Sequence, residues 1–239
     1  MFIVELRYIQ VNNKQSLQDF KLGISEAKIG FPAKNKNRIR IPNTNIYYDY
    51  ATIFGDTYNE RIIEYTFLLM RPNAMSEYEI EQFKSDVVNW LMPGIEHKLI
   101  DSADPYYYFI AEVQDEPEWT AGNGYGTLKV KFTCYPYKVK SDDEFDDVWD
   151  SFDFDNDVAQ ELNLTIDGES KFRVYNASST SIYPQFELSS TMDITVGGHQ
   201  ITYSKGNHGD KLLKLAVGWN NISVKGNGSV KIHFHKEVL

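Results

Sequence analysis

The sequence predicts a mainly β protein of two domains, the first a sheet carrying a single helix and the second a small β-sandwich. Three observations lead there. Aromatic residues make up 14% of the chain, with 16 Tyr and 14 Phe, a composition that suits strands. Only one stretch repeats its apolar residues at helical spacing. An acidic segment, Ser141 to Asp157, holds nine acids and no base, whereas residues 1–140 carry a net −2 and residues 158–239 a net +1. At 239 residues and 27.6 kDa the chain could form one large all-β domain or two small ones. The acidic seam decides for two, about 1–140 and 158–239, joined by a strap over 141–157.

In the first domain, "YYDYATIFGDTYNERIIEYTFLLM", Tyr47 to Met70, reads as a strand, a polar hairpin turn and a second strand. The helix follows, over about 76–92. Ser76 and Glu79 form a capping box, Met75 and Ile80 can staple it, and Pro93-Gly94 stops it. Ile80, Phe83, Val87, Trp90 and Leu91 make one apolar stripe, with Glu77, Glu81, Lys84 and Asp86 on the other side. Such a helix packs on a sheet. "PYYYFIAEVQ" and "YGTLKVKFTCYPYKV" supply further strands, and "AGNGYG" between them has hairpin chemistry. Strand, not helix, follows this glycine run, which excludes a phosphate-binding loop.

Phe145, Val148, Trp149, Phe152 and Phe154 punctuate the acids of the strap, so its rings should dock on a neighbouring surface and its carboxylates should stay in water. Asp153, Asp155 and Asp157 give D-x-D-x-D, but the glycine and the closing glutamate of a calcium loop are missing. In the second domain "LNLTIDGESKFRVYN", "MDITVGGHQITYS" and "GWNNISVKGNGSVKIHFH" repeat a strand-turn-strand pattern, with Asp167-Gly168, Gly197-Gly198 and Gly226-Asn227-Gly228 as turns.

The chain offers little for catalysis. Its single cysteine, Cys134, sits in an alternating strand with no cation arranged beside it and reads as an inert thiol. The N-terminal "MFIVELRYIQ" lacks the features of a signal peptide, and no segment approaches ~20 apolar residues, so folding in a reducing compartment is expected. His233 and His235 share one strand face in the manner of a zinc pair, without a third ligand nearby. No nucleophile elbow, metalloprotease helix or Walker loop is present, and neither an enzyme nor a cofactor is expected. Lys34, Lys36, Arg38 and Arg40 form the one basic run, in a loop-like stretch, without a stacking platform for nucleic acid. Trp219 and Tyr203 could stack on sugar rings, which leaves a host-surface carbohydrate-binding module as the alternative function.

Tyr47 to Met70, then "SEYEIEQFKSDVVNWLM", "KLIDSADPYYYFIAEV" and "GTLKVKFTCYPYKVKSDDEFDDVWDSFDFD", together resemble the distal tail protein family of long non-contractile-tailed bacteriophages. "LKLAVGWNNISVKGNGSVKIHF" matches more loosely. The resemblance implies an N-terminal β-sandwich with one helix and a galectin-like C-terminal sandwich. It also implies a homo-hexameric ring at the distal end of the virion tail, made in the host cytoplasm. Its partners would be the tail tube, the tail-associated baseplate protein, the tape measure protein and a receptor-binding protein, with a channel for DNA and no membrane insertion. In such a ring Phe54 and Tyr58 would be interface anchors, with Arg61 and Glu64 as rim charges. Lys34, Lys36, Arg38 and Arg40 would line the lumen or meet the next ring.

Overall fold

A computed structural model describes residues 6–36, 38–49, 51, 55–70, 75–121, 126–146, 151–155 and 157–239. The chain divides into two compact units, Met1–Lys138 with Leu239, and Val139–Val238. Both are mainly β.

In chain order the first unit contains β1 (Ile9–Val11), β2 (Lys14–Gln15), α1 (Ser16–Phe20), β3 (Leu22–Ile29), β4 (Lys34–Asn35), β5 (Arg38–Arg40), β6 (Tyr47–Asp49), β7 (Thr57–Tyr58), β8 (Arg61–Leu69), α2 (Glu77–Leu91), β9 (His97–Asp101), β10 (Tyr107–Glu112), β11 (Glu118–Ala121) and β12 (Gly126–Cys134). β13 (Lys138–Lys140) spans the division. The main sheet runs β2-β1-β9-β10-β12-β8-β3, and β11 also pairs with β12. Arg61, Ile63, Tyr65 and Phe67 of β8 are buried in alternation, as period-two geometry requires of a half-buried strand. Ile63, Tyr65 and Phe67 thus face the same core as Leu128, Val130 and Phe132 of β12.

Helix α2 forms where the periodicity places it. The Ser76 hydroxyl accepts from Glu79 N while the Glu79 carboxylate accepts from Ser76 N, so the capping box is complete. Phe83, Val87, Trp90 and Leu91 are buried against the sheet, each contributing about 1.5–3 kcal/mol by leaving water. Trp90 Nε1 also donates to Val11 O at 2.9 Å, and its ring stacks on Phe20 of α1 at 4.4 Å. α1 is a second helix beyond the one expected; at five residues it is too short to show periodicity.

Three expected turns fall differently. β6 pairs with β5, while β8 lies between β3 and β12, so Tyr47 to Met70 is not a hairpin. In the second unit β14 (Asn163–Asn176) pairs with β19 (Gly218–His233) without a break, Asp167 opposite Asn227 and Gly168 opposite Gly226. Asp167-Gly168 and Gly226-Asn227-Gly228 are therefore mid-strand and not turns. The tip of the "AGNGYG" hairpin lies outside the described residues, but its flanks pair as β11 and β12, Ala121 opposite Gly126.

The remaining elements are β15 (Gln185–Leu188), β16 (Met192–Val196), β17 (His199–Tyr203), β18 (Gly206–Gly209) and β20 (Glu237–Val238). The sheet that holds β15 to β18 runs β17-β16-β19-β15-β18, with β14 on β19, whereas β20 pairs with β13. β19 holds β16 along Ile222–Gly226 and β15 along Val230–His233. Gly226 (φ 154°) and Gly228 (φ 141°) mark the change of neighbour. Cβ atoms there would strike Met192 Cγ at 2.8 Å and the Ser189 hydroxyl respectively, so the β15–β16 connection can lie on bare backbone.

Candidate functional site

The basic run Lys34 to Arg40 proves to be part of a ribbon. After Gly30, whose N donates to Ile62 O, the chain leaves the sheet and rejoins it near Asn59, whose N donates to Ala33 O. Between them β4 pairs with β7 and β5 with β6, with Arg38 opposite Asp49, Ile39 opposite Tyr48 and Arg40 opposite Tyr47. Directly opposed residues share a face. Ile39 and Tyr48 therefore lie on one face with Ile46, and Arg38, Arg40, Tyr47 and Asp49 on the other. Ile39, Ile46, Tyr47 and Tyr48 are all more than half exposed.

The cations of this ribbon are mostly neutralised locally. Lys34 pairs with Asp56, Lys36 with Asp49 at 3.6 Å and Arg38 with Asp49 at 3.1 Å. A backbone N–H from Ala51, then Arg38, holds the Asp49 carboxyl below its ordinary pKa. Arg40 reaches Thr44 O at 3.5 Å and has no carboxylate partner among the described residues.

The residues expected at an interface separate. Phe54 lies outside the described residues. Tyr58 packs edge-on against Tyr137, ring centres 5.8 Å apart. Arg61 cannot be a rim charge, because it is buried at 3% exposure with its guanidinium 5.3 Å from the centre of the Phe109 ring. Burial pushes its pKa down, and its Nε and Nη2 have no hydrogen-bond partner. Glu64 sits mid-sheet on β8, 3.8 Å from Lys129 Nζ. Period-two alternation puts Arg61 on the buried face of β8 with Ile63, Tyr65 and Phe67.

The strap docks on the second unit, partly by its charges. Lys140 Nζ meets Glu144 at 3.3 Å and Asp157 at 3.1 Å, and Lys236 Nζ donates to Asp157 at 2.5 Å. All four side chains are buried. Burial raises the pKa of Glu144. Burial acts the same way on Asp157, but hydrogen bonds from Lys236, Asp153 N and Lys140 outweigh it and hold that carboxyl low. The expectation that the acids stay in water fails for Glu144 and Asp157, because Lys140 meets both and Lys236 joins it on Asp157.

Asp143 adds to the anchor by accepting from Phe234 N at 3.0 Å and contacting His233 Nδ1 at 2.8 Å. Phe145 lies on the His233 ring at 4.5 Å, whereas Phe154 is exposed. His235 Nδ1 meets the carbonyls of Lys140 and Asp142. The HxH pair thus fastens the strap. Among the described residues no three His, Cys, Asp or Glu side chains form a metal-holding group.

Cys134 is buried and burial pushes its thiol up to about 12. At Trp219 the Arg173 guanidinium lies 4.8 Å over the indole, and Tyr175 meets it edge-on at 5.1 Å. Tyr203 stacks instead on His208 at 4.7 Å. Register places Tyr203 opposite Met192, and Met192 opposite Gly226. Trp219 lies seven residues from Gly226 on β19, so the strand positions of the two residues are ~23 Å apart along the sheet and they do not form one site.

The whole fold has a solved counterpart. It is similar to the crystal structure of the SPP1 Dit protein, described as a paradigm of the hub adsorption apparatus in Gram-positive-infecting phages. The likeness has a TM-score of 0.64 and 10% identity, and it covers 98% of this chain and 100% of that one. No protein-family model matches the chain, and no curated protein does. At that identity the likeness is one of fold. It spans both units.

Proposed function

We propose that this protein is the structural hub of a phage tail tip, without catalytic activity. Six copies close into a ring that joins the tail tube to the adsorption apparatus and leaves a channel for DNA and the tape measure protein. The observation that carries the proposal is the coverage of the fold likeness, which leaves almost nothing of either chain unmatched. The ribbon supports it physically. Two-stranded ribbons are marginal by themselves, and this one exposes Ile39, Ile46 and Tyr48 on one face. A head-to-tail contact that covers such a face and closes on itself makes a cyclic ring.

In that ring the ribbon replaces the Tyr47 to Met70 hairpin as the contact element, and Arg40 is the basic residue free to face the lumen or the next ring. The tail-associated baseplate protein and a receptor-binding protein would dock on the ring's outer surfaces. The test is the solution mass by light scattering, with negative-stain images of the same peak. A mass about six times 27.6 kDa with ring-shaped particles is expected. A monomer at high concentration that also fails to assemble with its tail-tube protein would overturn the proposal.

A further inference from the structure

The second unit carries a cavity that the hub reading does not use. β14 and β19 set Lys171 opposite Ser223, Arg173 opposite Asn221 and Tyr175 opposite Trp219. Val174, Ile222 and Val224 are buried, so strand alternation turns these six residues to the opposite face. β16 adds Thr195 opposite Ser223. Beyond it the chain turns at Gly197-Gly198, both at positive φ, and a Cβ at either would meet nothing within 4 Å. The resulting cavity has a volume of about 390 Å³ and is lined by Lys171, Arg173, Thr195, Asn221 and Ser223 with the glycine turn, and by Phe172 and Ile222 of the same strands.

Three features define what fits there. Trp219, beside the cavity, is 53% exposed although it packs against both Tyr175 and Arg173. Its indole is a fixed apolar surface. Asn221, Ser223 and Thr195 offer both donors and acceptors of hydrogen bonds. Lys171 is held by Glu169 at 3.0 Å, but Arg173 has no carboxylate partner among the described residues. The stack on Trp219 orders its guanidinium without neutralising it.

We propose that this cavity binds a saccharide carrying an anionic group. Trp219 stacks on the sugar ring, Arg173 holds the anion, and Asn221, Ser223 and Thr195 meet the hydroxyls. A nucleic acid is the poorer fit, because Arg173 by itself, on a chain of net charge −10, cannot track a phosphate backbone. The inference stands apart from the hub reading, since it concerns a surface of the second unit and does not depend on a ring.

The experiment is calorimetric titration at low salt with N-acetylglucosamine 6-phosphate and glucuronic acid, beside N-acetylglucosamine and inorganic phosphate. At least one anionic sugar should bind about tenfold or more tightly than both controls. Trp219→Ala and Arg173→Gln should each weaken that binding by about tenfold, and Arg173→Gln, which removes only the charge of an exposed side chain, should leave the unfolding midpoint unchanged. No heat from either anionic sugar would overturn the inference. Inorganic phosphate binding equally well would remove the saccharide, and N-acetylglucosamine binding equally well would remove the role of Arg173. Particle mass tests the hub reading separately, so the failure of one is distinguishable from the failure of the other.

Discussion

The carboxylate of Asp157 accepts a hydrogen bond from the Lys236 ammonium at 2.5 Å, with the two side chains only 1% and 4% exposed. Lys140 approaches the other carboxylate oxygen at 3.1 Å. The pair ties the end of the strap to the segment after β19. Breaking a buried pair from one side leaves an uncompensated charge, so Asp157→Asn should cost about 3–5 kcal/mol. Urea unfolding of the second-unit transition measures it. Asp157→Leu combined with Lys236→Met should recover much of that loss, because it removes both charges together. A loss under about 1 kcal/mol in the single variant would contradict the pairing.

Asp101 should make the first unit sensitive to acid. Its carboxylate accepts from Arg7 at 2.8 and 2.5 Å, from the Tyr65 hydroxyl at 2.6 Å and from Ala103 N at 3.0 Å. Burial alone would raise its pKa, but these donors outweigh it and lower the value from 3.8. A depressed folded pKa means stability that is present above the unfolded value and lost as pH falls through the folded one. Asp101→Asn should therefore be less stable at neutral pH by about 2–3 kcal/mol. Its urea midpoint should also change less than the parent's between neutrality and about pH 3. Equal pH dependence in the two proteins would exclude the carboxylate as the cause.

The elements legible in the sequence were those that repeat a pattern over many residues. The α2 stripe and the Ser76 capping box each follow from local geometry. Pairing did not follow, because an aromatic-rich strand such as β6 fits many neighbours and only tertiary contacts choose β5. Glycine misled in the second unit. Gly168, Gly226 and Gly228 signal bends within long strands as readily as they signal turns, and nothing local distinguishes the two. Asn12 and Asn13, at φ 49° and 62°, form the short turn between β1 and β2, a signal present in the sequence and passed over. Among candidate site residues Trp219 had visible chemistry, but its partner Arg173 is distant in sequence and appears only through register.

Gly226 supplies a test of that strand geometry. Its φ of 154° and the 2.8 Å approach of Met192 Cγ leave no room for a methyl group. Gly226→Ala should destabilise the second unit by about 1–3 kcal/mol through backbone strain and the displaced Met192 side chain. Gly198→Ala, whose Cβ would enter open space, carries the positive-φ strain (φ 85°) alone and should cost less. If Gly198→Ala lowers the thermal midpoint more than Gly226→Ala does, packing at the β15–β16 connection is not what selects the glycine.

The ribbon is where the hub proposal meets a mutation. Ile39 and Tyr48 are opposed across β5 and β6 and are 53% and 61% exposed, so replacing them removes little from the folded monomer. Covered by a neighbouring copy, the same two side chains would bury a substantial apolar area, and a charge among them would be left without water or a partner. Ile39→Asp with Tyr48→Asp should shift the light-scattering mass from the ring to the monomer, while the thermal midpoint of the monomer stays within the range of a surface change. Tyr58→Asp is the informative contrast. Tyr58 packs on Tyr137 within the unit, so this substitution should lower the midpoint whether or not a ring forms. A ring of full mass in the double variant would remove the ribbon from the interface and send the search to the other unpaired edges of the sheet, at β2 and β3.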